Sequence, residues 1–150
     1  EIVQEVLELA QSFRKSEIYE AYLQGAQAWE HPISLTIDSI KLNGFIDLLG
    51  EEFILDFKTD RVMQPTHHRF QLWAYAAATK KPAAHIAYLR HDRVHTFDSQ
   101  ALSSIHQEAE SLIHSIQNDR FSPTPSLASC GMCPYIEICN SGIEDPTTKG

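Results

Sequence analysis

The chain has little positive charge for its length and no long apolar run. Its 150 residues include 12 Lys and Arg against 20 Asp and Glu, which gives a formal net charge of -8. Proteins that bind duplex DNA unaided place Lys and Arg against phosphates, so this balance argues against an autonomous duplex binder, unless some acidic residues hold cations. No apolar run approaches the roughly 18 residues of a membrane helix, so we expect no membrane association and a cytoplasmic location.

Cysteine is also scarce, since the chain has three and all fall between Cys130 and Cys139. An odd, clustered set predicts metal ligation in a reducing compartment rather than a disulfide framework. The length favours one domain, residues 1–150, whose residues 122–143 form a C-terminal cysteine segment. The chain begins at Glu1, without Met and inside a helical pattern. We therefore interpret it as truncated at its N-terminus and expect further site residues upstream.

The spacing of apolar residues predicts helices around a set of strands. Helical periodicity over residues 2–29 predicts two helices, the second capped near Ser16 and fading at Gly25. From Ile33 the period changes to two, and residues 33–37, 40–49 and 53–59 predict a three-stranded antiparallel meander. A helix over residues 65–80 and a hairpin of residues 84–90 and 93–97 follow.

A long amphipathic helix is predicted over residues 99–118, with one apolar face formed by Leu102, Ile105, Ala109, Leu112, Ile113 and Ile116. A Pro- and Ser-rich loop then leads to Ser129, and residues 144–150 are expected to fray. The predicted fold class is α/β of the α+β kind. It has a mixed central sheet, with an antiparallel meander, flanked by helices.

Strand alternation decides which side chains of the central hairpin meet. In residues 53–58, Asp56 and Lys58 share the face of Ile54. In the preceding strand, alternation predicts one face made of Ile40, Leu42, Gly44, Ile46 and Leu48. The apolar residues of the two strands point to the same side of the sheet only if the numbers of two directly paired residues add up to an odd number, such as 101 or 103. Either register puts Asp47 opposite Asp56 or one diagonal away, about 5 to 8 Å between Cβ atoms.

Two carboxylates so placed repel each other without a cation, and magnesium or manganese prefers such oxygen ligands. An ammonium on the same face, from Lys58, could bind a phosphodiester and neutralise charge that develops in a transition state. The alternative is an ordinary surface ion pair of Lys58 with either Asp, worth about 0 to 1 kcal/mol.

Several motifs together resemble a known nuclease family. Gly44-Phe45-Ile46-Asp47, Asp56-Phe57-Lys58-Thr59 and Gln71-Leu72-Trp73-Ala74-Tyr75 resemble the RecB-type branch of the PD-(D/E)xK nuclease superfamily. Upstream, Phe13, residues 16–19 and residues 29–33 resemble the approach to the site in RecB and AddA nuclease domains. The resemblance covers residues 13–90 and implies a restriction-endonuclease-like core.

The resemblance also implies a role for individual residues. Asp47 and Asp56 would bind Mg²⁺ or Mn²⁺, with the carbonyl of Phe57 as a further ligand. Lys58 would be the catalytic lysine. Gln71 and Tyr75, four residues apart on one helical face, would be the accessory pair. The family usually adds a His from an upstream helix, which we expect before Glu1.

Several polar residues in and near these motifs also have an explanation that involves no function. Gln71 and Tyr75 could equally form a polar helix edge. Glu30 could add a catalytic carboxylate to the site, although an exposed Glu at a helix end explains it equally well. His67 and His68 precede Gln71 by about a turn and could contact phosphate, but a solvated helix start is the commoner explanation.

The cysteine spacing predicts a metal centre that lacks one ligand. Cys130, Cys133 and Cys139 are separated by two and five residues, and tetrahedral zinc or a 4Fe-4S cluster needs a fourth ligand. The segment resembles the C-terminal part of the iron-sulfur staple in AddB-type and CRISPR-adaptation nucleases, which implies a fourth Cys outside this chain. Zn²⁺ and three unligated thiols are the alternatives.

Taken together, the motifs predict a metal-dependent DNA nuclease. We expect exonuclease action on single strands or ends, in a RecB- or AddB-like helicase-nuclease or a related repair or recombination enzyme with a helicase subunit or domain. A non-cleaving DNA-binding module is one alternative, and a zinc or iron-sulfur interaction module is another.

Overall fold

The computed structural model describes residues 2–131 and 133–143. In chain order its elements are α1 (Ile2–Phe13), α2 (Glu17–Leu23), β1 (Ala26–Ile37), β2 (Ile40–Gly50), β3 (Phe53–Lys58), α3 (Pro65–Thr79), β4 (Ala83–Tyr88), β5 (Arg93–Phe97), α4 (Ser99–Gln117), α5 (Leu127–Gly131) and a 3-10 helix (Ile136–Ile138).

The five strands form one sheet in sequence order, β1-β2-β3-β4-β5. Neighbours run antiparallel except β3 and β4, which are parallel because α3 crosses between them. The predicted fold class is therefore confirmed: a mixed sheet that contains an antiparallel meander and is flanked by helices. The predicted β4–β5 hairpin is confirmed too.

Local signals explain where the helices begin and end. Ser16 Oγ accepts a hydrogen bond from the Tyr19 N–H and caps α2, an interaction worth about 1 kcal/mol. Pro65 begins α3, where its missing N–H is not needed. Lys80 ends α3 in a left-handed conformation, with φ 56°. Pro82, two residues later, is typical of a helix end.

The sheet is covered on both faces, so the chain has two apolar clusters. The first joins the sheet to α3 and α4 and includes Ile33, Ile46, Ile54, Leu72, Ile86 and Ile105. The second joins the other face to α1 and α2 and includes Phe13, Ile18, Leu48, Leu55 and Phe57. Because β3 contributes to both clusters, its backbone is enclosed. This enclosure leaves Asp56 buried, whereas Lys58 at the end of the strand is only half-buried.

Two sequence-based boundaries were wrong. The first strand begins at Ala26 rather than Ile33, because its pairing with β2 extends to Gly50 and outweighs the helical propensity of the segment. Glu30 therefore lies within β1, not at a helix end. The loop predicted to reach Ser129 contains the start of α5 at Leu127. Residues 144–150, expected to fray, lie outside the described residues.

Two expectations about side-chain faces were also wrong. Leu48 does not share a face with Ile46, since the two side chains belong to different clusters. On α4, Leu112 and Ile116 are exposed, whereas Leu102, Ile105, Ala109 and Ile113 are buried. The buried stripe is narrower than the apolar pattern suggested because the sheet face reaches only one side of α4.

The chain divides into two compact units, one ending at Ile113 and the other beginning at His114. The first contains the whole sheet and the second contains the three cysteines. Within the described part of the chain, no helix is both long and apolar enough to cross a membrane.

Candidate active site

The site lies where β2 and β3 stop pairing. Leu48 pairs with Leu55 and Leu49 with Ile54, so paired positions sum to 103, one of the two registers expected. One further step puts Asp47 opposite Asp56. There the Phe57 N–H donates a hydrogen bond to Asp47 Oδ2, at 2.7 Å, instead of to a backbone carbonyl. The Asp47 carboxylate is thus held between the two strands.

Asp56 is a buried carboxylate with two different partners. Its side chain is only 3% exposed. Oδ1 accepts a hydrogen bond from Gln71 Nε2 at 3.2 Å, and Lys58 Nζ lies 2.5 Å from Oδ2. Oδ2 nevertheless has no hydrogen-bond partner among the described residues, so the Lys58 contact is an ion pair without hydrogen-bond geometry. One buried oxygen of Asp56 therefore keeps unused acceptor capacity.

The pKa of Asp56 is raised, and burial is the largest cause. The ion pair with Lys58 and the charge of His68 lower this pKa, while the nearby charge of Asp47 raises it. Burial outweighs the attraction of Lys58 because a carboxylate loses strong hydration when it enters the core. The folded chain alone therefore holds an ionised Asp56 at a cost in stability.

Gln71 reaches the Asp56 carboxylate from α3 and is linked to Tyr75 of the same helix. The Gln71 amide donates to Asp56 Oδ1 and also to the Tyr75 hydroxyl, at 3.1 Å. The Tyr75 ring packs so closely on Gly44 that a Cβ there would lie 2.7 Å from the ring. Gly44 is thus required for the close approach of α3 to β2. The structure brings together Asp47, Asp56, Lys58, Gln71 and Tyr75.

Phe57 anchors the strand from the opposite face. Its ring lies 5.3 Å from the ring of Phe13, edge on, and stacks with Trp29 at 6.2 Å. Because Phe57 is fixed on the side of α1, its neighbours Asp56 and Lys58 are directed toward α3. The backbone of Phe57 contributes its N–H to the site; its carbonyl as a metal ligand stays a prediction.

Glu30, His67 and His68 were the less specific candidates for the site. The Glu30 side chain is exposed, and among the described residues the structure records no hydrogen bond or ion pair for it. His68 Nε2 lies 3.0 Å from Asp60 Oδ2, and His68 is close enough to Asp56 to lower its pKa. Asp60 was missed by the sequence analysis because its partner is on a different element. No contact to the site is recorded for His67.

The carboxylates fit a divalent ion as a partial ligand set. No three His, Cys, Asp or Glu side chains in the described ranges are close enough to hold a metal. Magnesium, however, usually takes only one or two protein carboxylates and completes its shell with water and substrate phosphate. Asp47 and Asp56, with the unused capacity of Oδ2, meet that requirement.

The cysteine segment is described by itself. Cys130 is buried and its Sγ accepts a hydrogen bond from the Ile143 N–H at 3.4 Å. Cys133 is half-buried and Cys139 is exposed. All three are free thiols that line one pocket with Pro123, Thr124, Pro125, Ser129 and Ser141. They are not among any described group of three ligands that could hold a metal, so an assembled iron-sulfur site is not supported.

We expect Asp56→Asn to raise the stability of the metal-free chain at neutral pH. The pKa of Asp56 is higher in the folded than in the unfolded state, so the folded state binds more protons and stability falls as pH rises above about 3.8. The amide removes this loss. Thermal melts in a chelator should give Asp56→Asn the higher Tm at pH 7, with the difference shrinking as pH falls toward 4. For a chain of this size, about 1 kcal/mol corresponds to about 2 to 4 °C.

Added Mg²⁺ or Mn²⁺ should reverse the order, because only the parent chain gains binding energy from the ion. A lower Tm for Asp56→Asn in the chelator at pH 7 would make the carboxylate a structural group.

The fold and the site can now be compared with known proteins. The model of the PD-(D/E)XK nuclease superfamily matches residues 2–140. The crystal structure of a candidate exonuclease from Eubacterium rectale is similar over 98% of this chain, at 14% identity and a TM-score of 0.60. The match covers 65% of that protein, so this chain spans less than two thirds of its length. At this identity the likeness shows a shared fold.

The crystal structure of SSO0001 matches over 93% of this chain and 69% of that one, at 19% identity and a TM-score of 0.47. No curated protein sequence matches the chain. Asp56-Phe57-Lys58 supplies the (D/E)-x-K part of the superfamily motif, and Ile46 rather than Pro precedes Asp47. The family match extends over nearly all of the chain, including the hairpin that carries these residues, and the chain belongs to the PD-(D/E)XK nuclease superfamily.

Proposed function

We propose that the chain is the catalytic core of a divalent-metal-dependent deoxyribonuclease. The observation that carries the proposal is the meeting of Asp47 and Asp56 at the point where β2 and β3 separate, with Lys58 2.5 Å from Asp56. Nucleases of this superfamily generally use divalent metals. Asp47 and Asp56 would hold Mg²⁺ or Mn²⁺, which supplies a water of lowered pKa and neutralises charge on the phosphate.

The protein residues have distinct tasks in this proposal. The Phe57 N–H fixes one oxygen of Asp47, and no hydrogen bond to the other is recorded among the described residues. The Gln71 amide fixes Oδ1 of Asp56, so that Oδ2 is directed toward the ligand. The Lys58 ammonium, which neutralises Asp56 in the free chain, is placed to contact a phosphate oxygen and stabilise its charge in the transition state.

The cellular setting follows from the resemblance of residues 13–90 to RecB-type nucleases. It supports exonuclease action on single-stranded DNA or ends, in a RecB- or AddB-like helicase-nuclease or a related repair enzyme. The surplus of acidic residues fits a domain that receives DNA from a helicase subunit or domain rather than capturing duplex DNA itself.

We expect Asp47→Ala to abolish Mg²⁺- or Mn²⁺-dependent cleavage of end-labelled single-stranded DNA. Lys58→Ala should lower the single-turnover rate by about 100-fold or more, with a smaller change in DNA affinity, because its charge acts mainly on the transition state. The full-length protein should be used, with substrate binding measured in Ca²⁺.

Matched controls come from the same strands. Glu52→Ala removes an exposed acid at the turn of the hairpin, and Lys41→Ala removes an exposed base of β2. Both should cleave at the parental rate. Full activity of Asp47→Ala with saturating metal would overturn the proposed site, and specific DNA binding without cleavage by the parent would favour a non-cleaving module.

Gly44→Ala should slow cleavage through Tyr75. The added methyl would lie 2.7 Å from the Tyr75 ring, so the ring must move, together with the hydroxyl that accepts from Gln71. We expect a rate about 10-fold or more lower, following the cost of roughly 1 kcal/mol or more for each disturbed hydrogen bond.

Gly131→Ala is the control for that variant, because a methyl there meets no atom of the described residues within 4 Å. A Gly44→Ala protein that cleaves at the parental rate, while Tyr75→Phe is slow, would show that α3 adjusts to the methyl without disturbing the carboxylate.

We further propose that Cys130, Cys133 and Cys139 bind a 4Fe-4S cluster once a fourth ligand is supplied from outside this chain. Their shared pocket and spacing support the proposal, although the thiols must move closer to bind. Anaerobically purified full-length protein should absorb as an iron-sulfur protein, and Cys133→Ala should lose the absorbance and several degrees of Tm. Stoichiometric zinc without labile sulfide would replace the cluster with a zinc site, and the absence of both metals would leave the cysteines as free thiols.

A further inference from the structure

The side-chain alternation of β1 breaks at Glu30. From Ala26 to Trp29, half-buried and exposed residues alternate, and then Glu30 is exposed directly after the exposed Trp29. The alternation resumes with the opposite phase. Trp29 stacks with Phe57 on the face of α1, whereas Ile33, at a position of the same parity, packs in the cluster of α3. One strand therefore presents odd-numbered residues to both faces.

The same break occurs in β2, at Asp47. Leu42 and Ile46 pack in the cluster of α3, and Gly44 lies against Tyr75 of that helix. Leu48 packs in the cluster of α1 and α2, although it lies two residues after Ile46. Leu49 returns to the cluster of α3.

The two breaks lie on the same rung of the sheet. Trp29 pairs with Leu48 and His31 with Ile46, so Glu30 stands opposite Asp47, and neither belongs to a recorded pair. Glu30 has φ 47°, a left-handed conformation. Six non-glycine residues in the described chain have a positive φ, and the other five lie outside the strands, at turns or just after helices: Asp38, Ser39, Lys80, Asp92 and Asp119.

The break lets residues of both parities in β2 face α3. In the outer part of β2 the even-numbered residues face α3, so uninterrupted alternation would direct Asp47 toward the opposite face. After the break, Asp47 has the parity of Leu49, which pairs with Ile54 on the α3 face. Asp56 also lies on that face, since it accepts from Gln71. Without the reversal, β2 could not present both Gly44 to Tyr75 and Asp47 to Asp56, because residues 44 and 47 of an unbroken strand lie on opposite faces of the sheet.

We propose that Glu30 is a positioning residue whose left-handed backbone, rather than its carboxylate, holds Asp47 on the face of Asp56 while the outer part of β2 packs on α3. The inference rests on the proposed nuclease function, because it assigns Glu30 to the same metal site. A backbone role explains why the Glu30 side chain is exposed and has no recorded partner although it stands opposite a catalytic residue. Strained conformations of this kind persist where the surrounding structure requires them.

The test is a series of substitutions at Glu30 in the full-length protein, measured by Mn²⁺ affinity, Tm and cleavage rate. Glycine adopts a positive φ freely, whereas β-branched residues do so least readily. Glu30→Gly and Glu30→Gln should keep the parental Mn²⁺ Kd, and Glu30→Gly should have the higher Tm of the two. Glu30→Val should weaken Mn²⁺ binding at least 10-fold, measured by electron paramagnetic resonance well below its melting transition. Glu30→Thr, with the same branching, replaces Glu30→Val if that protein does not fold.

Ser34 provides the matched control, because it is exposed in the same strand and has no positive φ. There the order should invert: Ser34→Gly should lower the Tm, Ser34→Val should keep or raise it, and neither should change the Mn²⁺ Kd.

Each other outcome overturns the inference. Equal weakening of Mn²⁺ binding by Glu30→Gly and Glu30→Gln would make the carboxylate a ligand. An unchanged Kd in Glu30→Val or Glu30→Thr, with only a lower Tm, would reduce Glu30 to a structural position. If the parent protein binds Mn²⁺ and cleaves DNA, either of these two results contradicts only the role of Glu30. If the parent protein does neither, both the proposed function and the role of Glu30 are wrong.

Discussion

The site depends on the carboxylate of Asp56, which the fold buries although its negative charge is not fully compensated. Asp56 lies in the middle of an enclosed strand, and burial raises its pKa despite an ammonium 2.5 Å away. A buried ion pair repays its desolvation only with good geometry and further hydrogen bonds, and Asp56 Oδ2 lacks these. In the proposed metal site this remaining cost would favour a cation, because a divalent ion would offer this oxygen a stronger partner than Lys58 does. The other features of the site hold that oxygen in place: Gln71 binds Oδ1, Phe57 anchors the strand from behind, and Gly44 admits Tyr75.

The sequence predicted this hairpin well because its rules are local. Period-two alternation, a short turn at Gly50 and apolar residues on both strands restrict the register to a few values, and 103 is the one observed. The same local rules predicted α3, whose start at Pro65 and end before Pro82 are encoded in the backbone chemistry of proline. These rules placed Asp47, Asp56 and Lys58 near one another, whereas the place of Gln71 and Tyr75 beside them was implied by the resemblance to RecB-type nucleases.

What the sequence could not supply depends on contacts between distant elements. The prediction assumed unbroken alternation and one buried face, so Leu48 was assigned to the wrong side. A strand in a sheet that is covered on both faces has apolar residues at odd and at even positions. The sequence of such a strand therefore does not show where its side chains change faces. The pairing of Asp60 with His68 was also not predicted, because it depends on the conformation of the loop between β3 and α3, which has no periodic pattern. On α4, the exposed Leu112 shows that an apolar residue predicts burial only where a partner surface reaches it.

The acidic balance of the chain is consistent with the chemistry of such a site. A nuclease that gripped DNA through Lys and Arg would need a basic surface, whereas this chain carries a net charge of -8 and places a lysine against its own carboxylate. The Lys58 ammonium is engaged by Asp56 in the free chain, and in the proposed mechanism it would become available to phosphate when a metal ion takes over Asp56. In the proposed mechanism, metal binding and the stabilising action of Lys58 are coupled, since the ion that occupies the carboxylates would also release the positive charge that neutralises the phosphate in the transition state.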